Sequence, residues 1–205
     1  MINHRFLKNV RLSLISIEID SFRDYAKYIE SSFRKELDFF EDEAKRVPEG
    51  LEDEFWDSYM DEARQYSKEF PRIMRNSLFV SIYTFLESKI ADLCVSDEKT
   101  LLTLSDIRGQ GIEQASTYLK KVLFIDFPYD TEEWKYIKKA QLLRNCIVHT
   151  NGQLSKVRKP ESVEKAIEEL DFVNKDDNGY ISLESEFCLD FIETVYLFLQ
   201  ELYQK

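Results

Sequence analysis

Glycine and proline are scarce in this chain, with 5 and 4 among 205 residues. Set beside 43% hydrophobic and 33% charged residues, that scarcity describes a helix-rich, soluble globular protein. Cysteine is scarcer still. Cys94, Cys146 and Cys188 are odd in number and far apart, which spells neither a disulfide framework nor a zinc site. Reduced, buried thiols are the expected state. Histidine occurs twice, at His4 and His149. No apolar run approaches the roughly 20 residues that span a bilayer. The opening Met1-Ile2-Asn3-His4-Arg5 lacks the apolar core and small-residue cleavage site of a signal peptide. The expectation is a cytoplasmic protein that makes no use of a membrane.

One domain is the default for this length, which is enough to bury a core. The net charge of −11 at first counts against nucleic acid, because phosphate binding draws on Lys and Arg. Its distribution alters that reading. Residues 108–160 hold ten Lys or Arg against five Asp or Glu, a net of +5, which leaves −16 for the remainder. A basic segment inside an acidic protein is how a local phosphate-binding patch looks in sequence. Arg108, Lys120, Lys121, Lys138 and Lys139 are the candidate RNA-contacting side chains. The plain alternative is that the Lys-Lys pairs are solvated helix faces.

Taken in order, residues 8–45 read as one long amphipathic helix. Ile15, Ile19, Phe22, Ala26, Ile29, Phe33, Leu37, Phe40 and Ala44 recur at steps of four and three, the seam of a helix packed at a shallow angle. A bundle helix is the commoner meaning of such a stripe, and a coiled-coil arm the rarer one. Leu51 to Tyr66 is a second, acidic helix. Its Glu52, Asp53, Glu54, Asp57, Asp61 and Glu62 lack the alternating ligands and central glycine of a calcium loop, so they read as a solvated face and no metal is expected. Pro71 marks a kink or the first turn of a new helix. From there to Cys94 runs the most apolar helix, the expected centre of a bundle. Glu87 follows its buried run, placed either to orient Arg144 or His149 or simply where the helix leaves the core.

Gly109-Gln110-Gly111 lacks the Lys-Ser/Thr of a phosphate loop and reads as a turn into a helix over Ile112 to Phe124. Asp130-Thr131-Glu132-Glu133 fits a capping box with Asp130 as N-cap. Residues 153–160 read as a basic, mobile loop, and Pro160 to Leu170 as a short helix. A small β-hairpin near residues 172–183 turns through Asn178-Gly179. A last helix, Glu184 to Tyr203, lays Phe187, Phe191, Val195, Phe198 and Leu202 on the bundle. The expected fold is mainly all-α, a bundle of about five to seven helices plus that hairpin.

Chemistry concentrates in Arg144-Asn145-Cys146-Ile147-Val148-His149-Thr150-Asn151-Gly152, at the end of a helix that glycine stops. On a helix Asn145 and His149 share one face, while Arg144 lies about 140° around from His149. Histidine trades protons near neutral pH. Arginine matches two phosphate oxygens with a permanent charge, and asparagine orients a partner without titrating. Together they suit phosphoryl transfer without a metal or cofactor, most simply RNA cleavage by the adjacent 2′-hydroxyl. Arg144, Asn145 and His149 are therefore the candidate catalytic residues. The plain alternative is an exposed Arg144 and a His149 that complements the helix dipole.

The Arg144-Asn145-x-x-x-His149 motif resembles that of the HEPN superfamily, small helical domains that include many ribonucleases of prokaryotic toxin and defence systems. Asp106 to Ile112, Tyr118-Leu119, Trp134 and Leu143 to Gly152 also look like bacterial HEPN-type proteins. The resemblance covers about residues 70 to 200, so within one 1–205 domain it implies a core over 70–205 and an N-terminal helical extension over 1–69. It further implies a homodimer in which two motifs line one cleft, an RNA substrate, and an antitoxin or defence-system partner protein. Some members of the superfamily bind without cutting.

Overall fold

The computed structural model describes residues 4–95 and 100–205, with the side chains from Lys8 onward. Among these residues seven α-helices and one two-stranded antiparallel sheet form, the mainly helical bundle with a small hairpin that the periodicity predicts. No described helix is long and apolar enough to cross a membrane.

Helix α1 (His4–Ala44) has 41 residues, about 60 Å at the usual helical rise. Its seam falls where the spacing places it, with Ile15, Ile19, Ala26 and Phe40 buried and Phe22, Ile29 and Phe33 packed at the margin. After a turn at Pro48 to Leu51, α2 (Glu52–Arg64) passes through a π-helical turn, Gln65–Glu69, directly into α3 (Phe70–Ala91). Pro71 thus sits in the first turn of α3, as the sequence predicts, though no break separates that helix from α2. It lacks an amide hydrogen and crowds the carbonyl four residues back; the wider π turn just ahead accommodates both, and the backbone stays right-handed helical through Glu69 and Phe70. This composite rod runs antiparallel to α1, as the ring contacts Phe40–Tyr59, Phe33–Phe70 and Phe22–Phe85 record.

Only part of that pair belongs to the bundle. Helix α3 buries Leu78, Phe79, Ile82, Tyr83, Leu86 and Ile90 and packs against α1, α4 (Gly111–Lys121), α5 (Glu132–Thr150) and α7 (Ser185–Gln204). Opposite it, α7 buries Phe187, Phe191, Val195, Phe198 and Leu202, so Phe79 meets Phe187 and Phe191 edge-on at 5.1 and 5.0 Å. By contrast no residue of α2 is buried, and its main packing is on α1 and the π turn. The distal half of α1 and α2 thus form a two-helix arm beyond the bundle, so α1 is a bundle helix at one end and an arm helix at the other. Where the two regimes meet, Arg75 grips Glu30 through two nitrogens, Nε at 2.6 Å and Nη2 at 2.9 Å, and donates Nη1 to the Leu183 carbonyl at 3.0 Å.

Short α6 (Pro160–Glu168) lies on α5, and β1 (Val173–Lys175) pairs with β2 (Ile181–Leu183). The hairpin turn is closed by Asp176, whose Oδ1 accepts from the amides of Asn178 and Tyr180. Gly179 takes φ +75° there, a conformation that favours glycine. Residues 153–160 are pinned at their start rather than loose. Leu154 is buried, its amide donates to the Gly179 carbonyl at 3.0 Å, and Ile181 donates to the Gly152 carbonyl at 2.9 Å. The hairpin thereby fixes the chain as it leaves α5.

Candidate functional site

Helix α5 carries the motif, and its two ends are held by different devices. At the start Thr131, not Asp130, is the N-cap. Its Oγ1 accepts from the Trp134 amide at 3.2 Å, which places Trp134 at the third helical position and leaves no capping box with Glu133. The hydroxyl also reaches back to the Pro128 carbonyl at 3.1 Å. At the far end Asn151 adopts a left-handed conformation, φ 54° and ψ 33°, and Gly152 follows at φ +80°, so the helix stops where the sequence places the stop.

Trp134, Ile137, Ala140, Leu143, Cys146 and Ile147 bury the inner stripe of α5. The adjoining face turns Leu142, Asn145 and His149 into a groove of about 420 Å³. Its opposite wall is the 3₁₀ turn Leu154–Lys156, the chain to Lys159 and the first turn of α6, from Lys156, Val157, Arg158, Lys159, Ser162 and Val163. No carboxylate lines it. Four of its side chains are cationic or can become so: His149, Lys156, Arg158 and Lys159. The Cys146 thiol also lines the groove, but burial pushes it up against the opposing pull of the Thr150 hydroxyl, so it is not a ready thiolate nucleophile.

Arg144 stands away from this face, as its angular position requires. It donates Nη1 to Asn145 Oδ1 at 3.1 Å and Nη2 to Glu87 Oε2 at 3.4 Å, and its guanidinium lies 5.4 Å from the centre of the Tyr83 ring. Its Nε and the Tyr83 hydroxyl are buried without a hydrogen-bond partner. Burial pushes the Glu87 carboxyl up, and the Arg144 charge offsets only part of that. Burial also holds the Tyr83 phenol neutral, well above its ordinary range. The other Glu87 oxygen explains one glycine: a Cβ on Gly111, itself at φ +57°, would stand 2.6 Å from Oε1. Gly111 both turns the chain into α4, one residue ahead of the predicted start, and makes room for this carboxylate.

The structure thus brings Asn145 and His149 together in the groove, with Arg144 behind them and joined through Asn145. The five cations expected to hold RNA do not line it. Lys138 pairs with Glu113 and Lys139 with Glu169, and Lys120 sits over the Tyr129 ring at 4.8 Å. Lys121 and Arg108 are exposed at the end of α4 and ahead of its start. The cations that do face His149 lie just past the helix. They belong to the basic segment, but a segment read as mobile offers no fixed wall. Their signal is their position directly after the motif. Elsewhere, a depression of about 480 Å³ between α1 and α3, lined by Glu18, Phe22, Tyr25, Met74 and serines, presents no comparable group. Among the described residues no cluster of three His, Cys, Asp or Glu could hold a metal ion.

Fold and site together define a mainly helical bundle with a cationic groove at the end of one helix. In comparisons with family models, curated proteins and solved structures, nothing matches the chain.

Proposed function

We propose that this protein is a metal-independent endoribonuclease of the HEPN type, serving toxin or phage-defence biology. The observation that carries the reading is the groove, where His149 and Asn145 face Lys156, Arg158 and Lys159 with no carboxylate between them. A phosphodiester seated there meets positive charge, a proton-transfer group and an amide on one wall. Arg144 occupies Asn145 Oδ1, which leaves the Nδ2 hydrogens as the amide donors for a phosphate oxygen. In this reading Arg144 is a positioning residue, and Glu87 positions Arg144.

The reaction forms a bond from the ribose 2′-oxygen to phosphorus and breaks the bond from phosphorus to the 5′-oxygen. His149 takes the 2′-proton, and in a homodimer His149 of the partner subunit protonates the departing 5′-oxygen. The products are a cyclic phosphate and a 5′-hydroxyl. Purified protein is incubated with labelled tRNA and generic single-stranded RNA in EDTA. Cleavage is expected to persist, and His149→Ala to lower it by about 10²–10⁴-fold with an unchanged melting temperature, since His149 is exposed. Cleavage by that variant at the wild-type rate would remove the assignment. One observation favours a second reading, a non-catalytic module that binds RNA, a nucleotide or a protein: Arg144 is engaged by Glu87 rather than directed into the groove. Binding without cleavage would establish that reading.

A further inference from the structure

A second cavity shares no residue with the groove. It opens where the start of α1 meets the exit of α3 and the last turn of α7, with a volume of about 430 Å³. Leu93, Ile125 and Leu202 give it an apolar lining, with the Tyr203 ring beside them. The Tyr203 hydroxyl is spent on the Lys89 carbonyl at 2.8 Å, so the ring serves as a neutral wall. Among the described residues the other side chains that line the cavity are all cationic: Lys8, Arg11 and Lys205. In a chain of net charge −11, that grouping is not what a solvated surface gives by default.

The three cations are not equally committed. Lys8 donates to the Gln204 carbonyl at 3.3 Å. Lys205 pairs with Asp126 and Glu201 at 3.4 and 3.6 Å, and neither acid lines the cavity. Arg11 makes no hydrogen bond or ion pair among the described residues. It also lines an adjoining cavity, where Lys89 pairs with Glu18 at 2.8 Å and Asp92 adds a second carboxylate. Those acids repel an anion on that side of Arg11 and leave the Leu93 side open to one. There, three cations against Asp126 and Glu201 leave a net of +1.

We propose that this cavity binds an apolar monocarboxylate, with its head on Arg11 and its hydrocarbon body against Leu93, Ile125 and Leu202. A guanidinium fork with no partner of its own takes a carboxylate through two parallel N–H donors. A net of +1 matches one carboxylate better than a phosphate dianion. A mostly apolar concavity with a few placed polar groups is the usual form of a small-molecule site, and about 300–1,000 Å³ is its usual size. The site stands independently of RNA cleavage.

The test is calorimetric titration of the full chain with octanoate, kept below the concentration at which it forms micelles. Octanoate is expected to bind, and 1-octanol (the body without the charge) and acetate (the charge without the body) to bind at least about tenfold more weakly. Arg11→Gln is expected to weaken octanoate by about tenfold with an unchanged circular dichroism spectrum, since Arg11 is exposed. Arg11→Lys, which keeps the charge and loses the fork, should fall between. The groove beside His149 is also cationic over an apolar lining, so Lys156→Gln with Arg158→Gln is the control and should leave octanoate binding unchanged. No binding of octanoate would overturn the proposal. Equal binding of 1-octanol or of acetate would do the same, by reducing the interaction to apolar area or to charge alone. So would binding that ignores Arg11→Gln, or that is lost in the groove variant.

Discussion

The arm and the groove are both exposed and charged, and they are built in opposite ways. The arm holds its acids on a helix with no buried residue. The groove holds its candidate groups on a helix that buries six side chains, is capped by Thr131 and is tied at its exit through Gly152 and Ile181. An exposed, charged surface can stand on two helices that brace each other. A site that must hold an imidazole and an amide within hydrogen-bond reach of one phosphate needs the core behind it. The net charge of −11 describes neither region. It sums a segment of −9 over residues 36–69, one of +5 over residues 108–160 and −7 from the rest of the chain, and each region would be misjudged from the total.

The largest expected effect tests whether the core belongs to one region and not the other. Phe191 is fully buried among Phe79, Tyr83 and Phe187, so Phe191→Ala should destabilise the fold by about 3–5 kcal/mol in denaturant titration. Tyr59→Ala, in the seam of the arm and 43% exposed, should cost on the order of 1 kcal/mol or less. Equal losses would place arm and bundle in one cooperative unit and dissolve the contrast.

A smaller effect probes what stands behind the groove. Burial raises the Glu87 carboxyl more than Arg144 lowers it. An acid raised in the folded state keeps its proton longer there than in the unfolded chain. Stability therefore falls as pH climbs from the unfolded value through the folded one. Glu87→Gln removes that loss. Its melting temperature should exceed wild type above the window and converge with it below the ordinary glutamate range. If Glu87 holds Arg144, and Arg144 holds Asn145, the same substitution should reduce RNA cleavage while it raises stability at neutral pH. A melting difference that ignores pH would show that this buried pair does not govern it.

These two substitutions also mark how far the sequence could be read. Phe191 was legible, because its step from Phe187 and to Val195 gives one helix face; the same arithmetic located α1 and α3, while turn residues located the hairpin and the stop at Asn151-Gly152. Arg144 was legible in part: its angle from His149 follows from spacing, and Glu87 stood out as a charge after an apolar run. Its contact with Glu87 depends on how α3 crosses α5, which no local pattern encodes. The pairs Lys138–Glu113 and Lys139–Glu169 were hidden for the same reason, and they take two expected RNA contacts into cross-helix ion pairs. The wall from Lys156 to Lys159 needed the Gly152–Ile181 hydrogen bond, made by a strand beyond α6. The π turn ahead of Pro71 is a length adjustment between helices, and periodicity alone cannot distinguish it from a break.

The smallest expected effect returns to the start of α5. Sequence favours Asp130 as its cap and the structure places Thr131 there, so the two residues can be set against each other. Thr131→Ala removes the acceptor of the Trp134 amide and should lower stability by about 1 kcal/mol. The loss should appear in the global melt, because α5 is bound into the core through Trp134 and Ile137. Asp130→Ala should cost little, and an equal cost would return the cap to Asp130. Ser58→Ala supplies the matching change in the arm, where the hydroxyl donates only to the Glu54 carbonyl one turn back. That hydrogen bond competes with the helix rather than holding its end, so the global melt should not move. A fall as large as that of Thr131→Ala would mean that the arm melts with the bundle, and that its helix pair is held by more than its own seam.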